Sequence, residues 1–178
     1  MKIPLYEGKY LGIYQRGHWQ FAERPFADSA VGILPVTDDG HLVLVEQYRE
    51  PLQRRVIEIP AGLCGDEPEF RGEPFEATAA RELLEETGFR AAKLTELIVT
   101  PTSAGMTSEY THLFLATGLV RENAGGGTPG EDIVVHLAPL ATLPAWLAAC
   151  EARGCAIDAK IHACLWLAAA FLPAVRPC

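Results

Sequence analysis

Residues 73–89 read EPFEATAARELLEETGF, and this stretch decides how the rest of the chain is interpreted. Its composition predicts a helix from Glu73 to Thr87, with alanines and a pair of leucines in the middle. Pro74 is tolerated in a first helical turn, where its missing N–H removes no hydrogen bond. Gly88 is a typical C-terminal stop, because glycine adopts the left-handed conformation that ends many helices.

The predicted helix gathers three carboxylates on one side. At about 100° per residue, Glu82, Glu85 and Glu86 fall within roughly a 100° arc. Like charges at these spacings repel by a few tenths of a kcal/mol per pair, and hard divalent cations with oxygen ligands relieve that repulsion. A charged helix face in solvent is the alternative interpretation. The neighbouring arc that can face a core consists of Ala79, Ala80, Leu83 and Leu84.

Outside this helix, strand-like and turn-like segments alternate. Asp39-Gly40 predicts a hairpin, and proline and glycine predict loops at 60–72 and 101–108. Mixed elements of this kind favour an α+β or α/β/α sandwich with a mixed central β-sheet flanked by helices, preceded by N-terminal antiparallel strands. The predicted strands are 10–23, 30–36, 41–45, 55–59, 93–99, 110–119 and 133–137, and the further helices are 143–152 and 158–171.

Composition narrows the class of protein. The length of 178 residues and the hydrophobic content of 49% predict a single domain over 1–178. A net charge of −8 argues against nucleic acid as a partner, because phosphate-backbone binding usually needs a basic face. No stretch is apolar for long enough to span a bilayer. We expect a cytoplasmic protein without a membrane partner, in which five cysteines stay reduced: Cys64, Cys150, Cys155, Cys164 and Cys178.

The helix is part of a longer pattern. Glu73 is followed after seven residues by Arg81-Glu82-Leu83, after one more by Glu85-Glu86, and after one more by Gly88-Phe89. This pattern resembles the Nudix box, and the flanking segments 46–49 (EQYR) and 58–62 (EIPAG) resemble its ADP-ribose pyrophosphatase branch. The resemblance therefore implies a Nudix fold.

The box region, 61–89, departs from the family pattern in one place. Ten residues separate Gly62 from Glu73, where the family has five, and Glu67 stands where a glycine is expected. The difference predicts a five-residue insertion between Leu63 and Gly72.

The resemblance implies metal and catalytic residues. Two or three Mg²⁺ ions, replaceable by Mn²⁺, would be held by Glu82, Glu85, Glu86 and the carbonyl of Ala61. Arg81 precedes Glu85 by four residues and would orient it. Glu109 would accept a proton from the attacking water, whereas a surface glutamate that opens a strand is the alternative. The implied catalytic residues are Arg81, Glu85, Glu86 and Glu109.

Other residues are candidates for substrate contacts. Arg49 can bind diphosphate oxygens bidentately, and a strand-end arginine in solvent is the alternative. Glu58 alternates with isoleucines and could face solvent. Glu73 could anchor the loop or simply interact with the helix dipole. The implied substrate-binding residues are Glu46, Arg49, Leu63 and Gly105.

Hydrolysis of a nucleoside diphosphate sugar follows from the resemblance, with ADP-ribose cut to AMP and ribose 5-phosphate as the leading expectation. GDP-mannose or another nucleotide sugar stays open, because residues 101–105 (PTSAG) differ from the Pro-Ser-Pro-Gly of many ADP-ribose enzymes. A silent Nudix domain that binds a nucleotide as a sensor is the alternative from another class. The resemblance also implies a homodimer joined through the strands of 1–28.

Overall fold

The computed structural model describes residues 1–27, 29–128 and 130–172. The predicted first helix is confirmed, and it begins two residues later than predicted because Pro74 has an extended backbone (ψ 141°). The strands are β1 (Lys2–Glu7), β2 (Gly12–Arg16), β3 (Trp19–Glu23), β4 (Ser29–Pro35), β5 (His41–Arg49), β6 (Arg54–Glu58), β7 (Ala61–Leu63), β8 (Phe89–Pro101), β9 (Tyr110–Arg121), β10 (Ile133–Pro139) and β11 (Ala156–Ile157). The helices are α1 (Phe75–Thr87), α2 (Leu143–Ala152) and α3 (Ala159–Ala168).

Within the described residues, the strands form three sheets. The N-terminal sheet is antiparallel, in the order β1-β2-β3. The other two sheets are mixed: β7-β4-β9-β8 contains the parallel pair β4 and β9, and β10-β5-β6-β11 contains the parallel pair β6 and β11. The predicted α+β fold with N-terminal antiparallel strands is confirmed, although two mixed sheets stand where one central sheet was predicted.

The sheet that contains β4 is covered on both faces. Val31 and Ile33 pack with Ala79 and Leu83 of α1. Leu34 belongs instead to a larger cluster shared with β5, β6, α2 and α3. Because successive side chains of a strand point to opposite faces, β4 contacts helices on both sides and reads as a nearly continuous apolar run. This packing fixes α1 on the sheet.

The buried face of α1 differs from the predicted one by a small rotation. Ala79 and Leu83 are fully buried, as predicted, but Ala80 is exposed. Thr78 is buried in its place, and its hydroxyl donates a hydrogen bond to Glu73 (2.9 Å). The rotation moves the carboxylate of Glu86 toward the sheet, where only 6% of the residue is exposed.

The predicted loop 60–72 was wrong at its beginning, because it contains strand β7. Ala61 pairs with Gly32 and Leu63 with Ala30, in antiparallel register. Pro60 continues the pairing through its carbonyl, which accepts a hydrogen bond from the Ile33 N–H (2.9 Å). Proline and glycine break a central strand, but a short edge strand tolerates both.

The turn predicted at Asp39-Gly40 is present, but it does not join a regular hairpin. The Thr37 N–H donates to the His41 carbonyl (2.9 Å), and one bridge joins Val36 to Leu42. Beyond that bridge, β4 and β5 enter different sheets. The turn therefore acts as the corner between the two mixed sheets.

The described helices are too short or too polar for any of them to cross a membrane. Cys150, Cys155 and Cys164 are buried, and Cys178 lies outside the described residues. The first two lie at the C-terminal end of α2 and just after it, and the third packs from α3 into the core between the mixed sheets.

Candidate active site

A cleft of about 660 Å³ lies between α1, β7 and the ends of β5 and β9. Strand β7 and helix α1 lie very close together in this cleft, at Gly62 and Glu82. A Cβ atom at Gly62 would lie 2.0 Å from the Glu82 Cδ, so any larger residue would displace that carboxylate. The sequence-predicted residues that line the cleft are Arg49, Ala61, Leu63, Arg81, Glu82, Glu85, Glu86 and Glu109.

Glu86 is the most buried of the three helix carboxylates. The Ala61 N–H donates a hydrogen bond to its Oε2 atom (3.0 Å). Burial raises the pKa of Glu86 to about 8; the hydrogen bond from Ala61 opposes this shift and the charge of Glu82 adds to it. Without a cation, this carboxyl holds its proton at neutral pH, and a bound divalent cation would replace that proton.

Glu82 is also largely buried, but the positively charged guanidinium of Arg81 lies beside it. Burial raises the pKa of Glu82 to about 7, against the opposing charge of Arg81. The Arg81 Nη1 atom lies 2.9 Å from Glu82 and 3.2 Å from Glu85, and Nη2 lies 3.4 Å from Glu73. With its bonds to Thr78 and Arg81, Glu73 is the anchor of the loop to the helix.

The donor set fits a hard divalent cation. Glu82, Glu85 and Glu86 offer carboxylate oxygens at the edge of a cleft, and two of the three are desolvated acids whose charged forms need a cation. No three acidic, histidine or cysteine side chains among the described residues are already arranged as a ligand cluster. Arg81 contacts one oxygen each of Glu82 and Glu85, and the Ala61 N–H contacts one oxygen of Glu86. Cation binding would therefore require the other oxygens of these carboxylates to turn toward a common point.

Two arginine–carboxylate pairs form other parts of the wall. The Arg49 Nε atom donates to Glu58 (2.7 Å), and the Arg24 Nε atom donates to Glu109 (2.7 Å). The Glu58 and Glu109 side chains are only 10% and 13% exposed, so neither is a solvated strand position. Each pair uses Nε, and the planar guanidinium carries two further nitrogens that can donate to phosphate.

Glu46 and Gly105 lie outside this cleft. Glu46 alternates with the cleft residues Gln47 and Arg49 along β5, so its side chain points to the opposite face. There its carboxylate accepts from His136 Nε2 (3.0 Å). The Gly105 carbonyl accepts a hydrogen bond from Trp19 Nε1 (3.2 Å), within the contact between the 101–108 loop and the N-terminal sheet.

Sequence reasoning missed several cleft residues. Arg24 follows β3, far from Glu109 in the chain, and no local pattern marks it. Lys160 lies in the first turn of α3, and its backbone N–H donates a hydrogen bond to the side chain of the N-cap residue Asp158 (2.7 Å). Glu131 accepts from the Thr128 N–H (2.7 Å), and its charge contributes to the raised pKa of Glu86. The missed residues that line the cleft include Arg24, Thr102, Thr111, Glu131 and Lys160.

A second cleft of about 700 Å³ adjoins the first through Arg24, which lines both. Phe26 and Tyr110 present half-exposed rings to it, and Ser108 contributes a hydroxyl. Arg71 brings a residue of the predicted insertion to the same wall. The two clefts therefore meet at Arg24.

Helices pack on mixed sheets, and buried carboxylates and arginines converge on a concave site, so the chain is an α+β protein with a cleft of the kind that small ligands occupy. The chain belongs to the Nudix family: the NUDIX domain profile matches residues 27–153. A solved structure described as an ADP compounds hydrolase has the same fold, with a TM-score of 0.73 and 23% identity over 97% of this chain and 92% of that one.

Several relatives have been named for their substrates. An ADP-ribose pyrophosphatase of Bacillus subtilis is 48% identical over 66% of this chain and 64% of its own length. One of Mycobacterium tuberculosis is 42% identical over 51% of this chain and 42% of its own. A GDP-mannose pyrophosphatase of Citrobacter koseri is 34% identical over 63% and 60%. The chain thus spans less than two thirds of the length of these relatives.

Proposed function

We propose that the protein hydrolyses the pyrophosphate bond of a nucleoside diphosphate sugar with the help of Mg²⁺, and that ADP-ribose is its substrate. The observation that carries the proposal is the pair of desolvated carboxyls, Glu82 and Glu86, at the edge of a cleft that also contains Arg49. The two relatives named ADP-ribose pyrophosphatases support the choice of substrate.

Each cleft residue has a role in this reaction. Glu82, Glu85, Glu86 and the Ala61 carbonyl would hold two or three Mg²⁺ ions, or Mn²⁺ in their place. The chemistry such ions supply when bound is charge neutralisation at the phosphates and a more acidic water. Arg49 would bind the diphosphate through the guanidinium nitrogens that its pair with Glu58 leaves over.

Glu109 would accept the proton of the attacking water. Water forms a new bond to one phosphorus, the bridging P–O bond breaks, and the products are AMP and ribose 5-phosphate. Arg24 and the Thr102 hydroxyl (3.1 Å) hold the Glu109 carboxylate at the wall of the cleft. Arg81 orients Glu85 from the other side of the cleft.

The second cleft would take an end of the substrate. It begins at Arg24, where the first cleft ends, and half-exposed Phe26 and Tyr110 offer ring faces. Aromatic faces stack on a nucleobase whatever its hydrogen-bonding edge. This arrangement suits the nucleoside end of ADP-ribose, and it leaves the first cleft to the diphosphate.

The protein would act as a homodimer. Every residue of β1 is exposed, and Ile3, Leu5 and Tyr6 each expose about half of their surface or more. An exposed apolar strand at the edge of a sheet can pair with another chain through its free backbone groups and bury its apolar side chains there. The N-terminal sheet is the surface through which two copies would meet.

A substrate panel with a matched pair of variants tests the proposal. Purified protein with Mg²⁺ is assayed against ADP-ribose, GDP-mannose and other nucleoside diphosphate sugars, with the products identified by chromatography. We expect ADP-ribose to have the highest kcat/KM, and Glu86→Gln to lower it by about a hundredfold or more. Glu76→Gln, on the exposed side of the same helix, is the control and should leave turnover unchanged.

The panel also separates the other candidates. Preference for GDP-mannose would contradict ADP-ribose as substrate but keep the chemistry, in line with the relative from Citrobacter koseri. Binding of nucleotides without turnover of any member of the panel would contradict the chemistry and favour a sensor.

A further inference from the structure

The inserted segment between Leu63 and Gly72 folds back onto α1. A short helical turn at Pro68–Phe70 ends in two hydrogen bonds, from the Phe70 N–H to the Glu67 carbonyl (3.1 Å) and from the Glu73 N–H to the Phe70 carbonyl (3.0 Å). Asp66 and Glu67 line the same cleft as the helix carboxylates. The insertion is therefore part of the wall of the site.

The side chain of Phe70 lies against Arg81. The Arg81 Cζ atom is 4.1 Å from the centre of the Phe70 ring, which is within the range of a cation–π interaction. Only 18% of the Arg81 side chain is exposed. In this dry surrounding the attraction between ring and guanidinium is stronger than it would be in water.

Arg81 has several carboxylates within reach. Its Nη1 atom contacts Glu82 and Glu85, and its Nη2 atom contacts Glu73. Its Nε atom is buried and has no hydrogen-bond partner among the residues that the structure describes. Among these residues, the polar contacts of Arg81 are therefore confined to its two Nη atoms, and the Phe70 ring supplies a contact on the face of the guanidinium.

We propose that Phe70 is a positioning residue: its ring fixes the plane of the Arg81 guanidinium, which in turn holds Glu82 and Glu85 where a divalent cation can bind them. The inference rests on the proposed function only in assigning the cation to these glutamates. An aliphatic side chain at position 70 would fill the same space but would lack the negative face that attracts the guanidinium.

Phe70→Leu and Phe70→Tyr separate the ring from its bulk. Mg²⁺ binding is measured by calorimetry on the substrate-free protein, and kcat and KM are measured with ADP-ribose. We expect Phe70→Leu to weaken Mg²⁺ binding and to lower kcat, each by about three- to tenfold, with KM little changed. Phe70→Tyr retains the ring and should behave as the unsubstituted protein. Phe171→Leu, at an exposed phenylalanine after α3, is the control for loss of an aromatic ring.

A double-variant cycle with Arg81→Lys shows whether the ring acts through the guanidinium. We expect Phe70→Leu to have a much smaller effect on Mg²⁺ binding once Arg81→Lys has removed the planar group. Equal effects in both backgrounds would overturn the inference. So would a Phe70→Leu protein that binds Mg²⁺ and turns over like the unsubstituted one, or a Phe70→Tyr protein as impaired as Phe70→Leu. If the unsubstituted protein binds no Mg²⁺, the proposed function itself fails.

Discussion

Burial dominates the chemistry of Glu86. The residue lines the cleft but is only 6% exposed, and the hydrogen bond from the Ala61 N–H lowers the pKa of its carboxyl by less than burial raises it. Glu82 follows the same rule, even with Arg81 beside it. A divalent cation bound by either acid would therefore displace its proton near neutral pH.

The raised pKa values of these two acids predict how the stability of the protein depends on pH. The pKa values of Glu82 and Glu86 rise from 4.5 to about 7 and about 8 on folding, so between pH 4.5 and 8 the folded protein binds more protons than the unfolded chain. Their contribution to stability is complete below pH 4.5 and is lost as the pH rises toward 8. We expect the Tm of the metal-free protein to fall over this range, and Mg²⁺ to raise it more at pH 8.5 than at pH 6.

Differential scanning fluorimetry across pH, with and without Mg²⁺, measures both effects. Glu86→Gln is the control that isolates the carboxyl: its metal-free Tm should depend less on pH, and Mg²⁺ should stabilise it less. A Mg²⁺-induced rise in Tm that is as large at pH 6 as at pH 8.5 would contradict the exchange of protons for cations.

Gly62 predicts a variant that damages the site from the backbone side. In Gly62→Ala the new Cβ would meet the Glu82 carboxylate at 2.0 Å, so the carboxylate must move by an ångström or more. We expect kcat/KM to fall by about a hundredfold, because misplacement on this scale is costly at a reacting centre. The double variant with Glu82→Gln should be little worse than Glu82→Gln alone. Additive losses would show that Gly62→Ala acts elsewhere.

At the scale of elements, the end of α1 depends on Gly88. Its φ of +75° lies in the left-handed region, and a Cβ there would come within 2.3 Å of the Asn123 carbonyl oxygen. We expect Gly88→Ala to lower the free energy of unfolding by about 3 kcal/mol or more. Gly40→Ala is the matched control: φ is +82° but the Cβ meets nothing within 4 Å, so only about 1 kcal/mol is expected.

Urea denaturation measures both free energies. Comparable losses in the two variants would mean that the contact with Asn123 adds nothing to the strain of the left-handed backbone.

Helix α1 could be predicted from sequence because its signals are local. Pro74, the alanine and leucine content, and Gly88 all act within a few residues of each other. The short strand β7 could not be predicted, since Gly62 discourages a strand locally and only pairing with β4 forms it. The corner at Asp39-Gly40 is similar: the turn is local, but which sheet each strand joins is decided by distant partners.

The candidate site divides in the same way. The carboxylates of α1 follow from helical spacing, and their shared side is the one that lines the cleft. The pair of Arg24 and Glu109 joins residues 85 positions apart, which no spacing rule reaches. The alternation of Glu46 with Gln47 and Arg49 in β5 was readable from the sequence, and it places Glu46 on the face away from the cleft.

At the scale of the whole molecule, the N-terminal sheet and the site are connected. The Ala22 N–H donates to the Met106 carbonyl (2.7 Å), and Trp19 donates to the Gly105 carbonyl (3.2 Å). The 101–108 loop leads directly into Glu109. A change in the position of β3 would therefore reach the proposed proton acceptor through the backbone of that loop.

Dimer formation is the prediction at this scale. Strand β1 is exposed along its whole length, and its apolar residues Ile3 and Leu5 are each about half exposed. We expect size exclusion with light scattering to give twice the chain mass of 19.3 kDa, and the double variant Ile3→Asp, Leu5→Asp to give a monomer. Aspartates at these two positions would lose their hydration in the interface, and that loss costs more free energy than the apolar contacts contribute.

Trp166→Asp, at an exposed ring on α3, is the control and should remain dimeric. A monomer at all concentrations of the unsubstituted protein would mean that the exposed strand has another role, and a dimer that survives both aspartates would place the interface on a different face of the molecule.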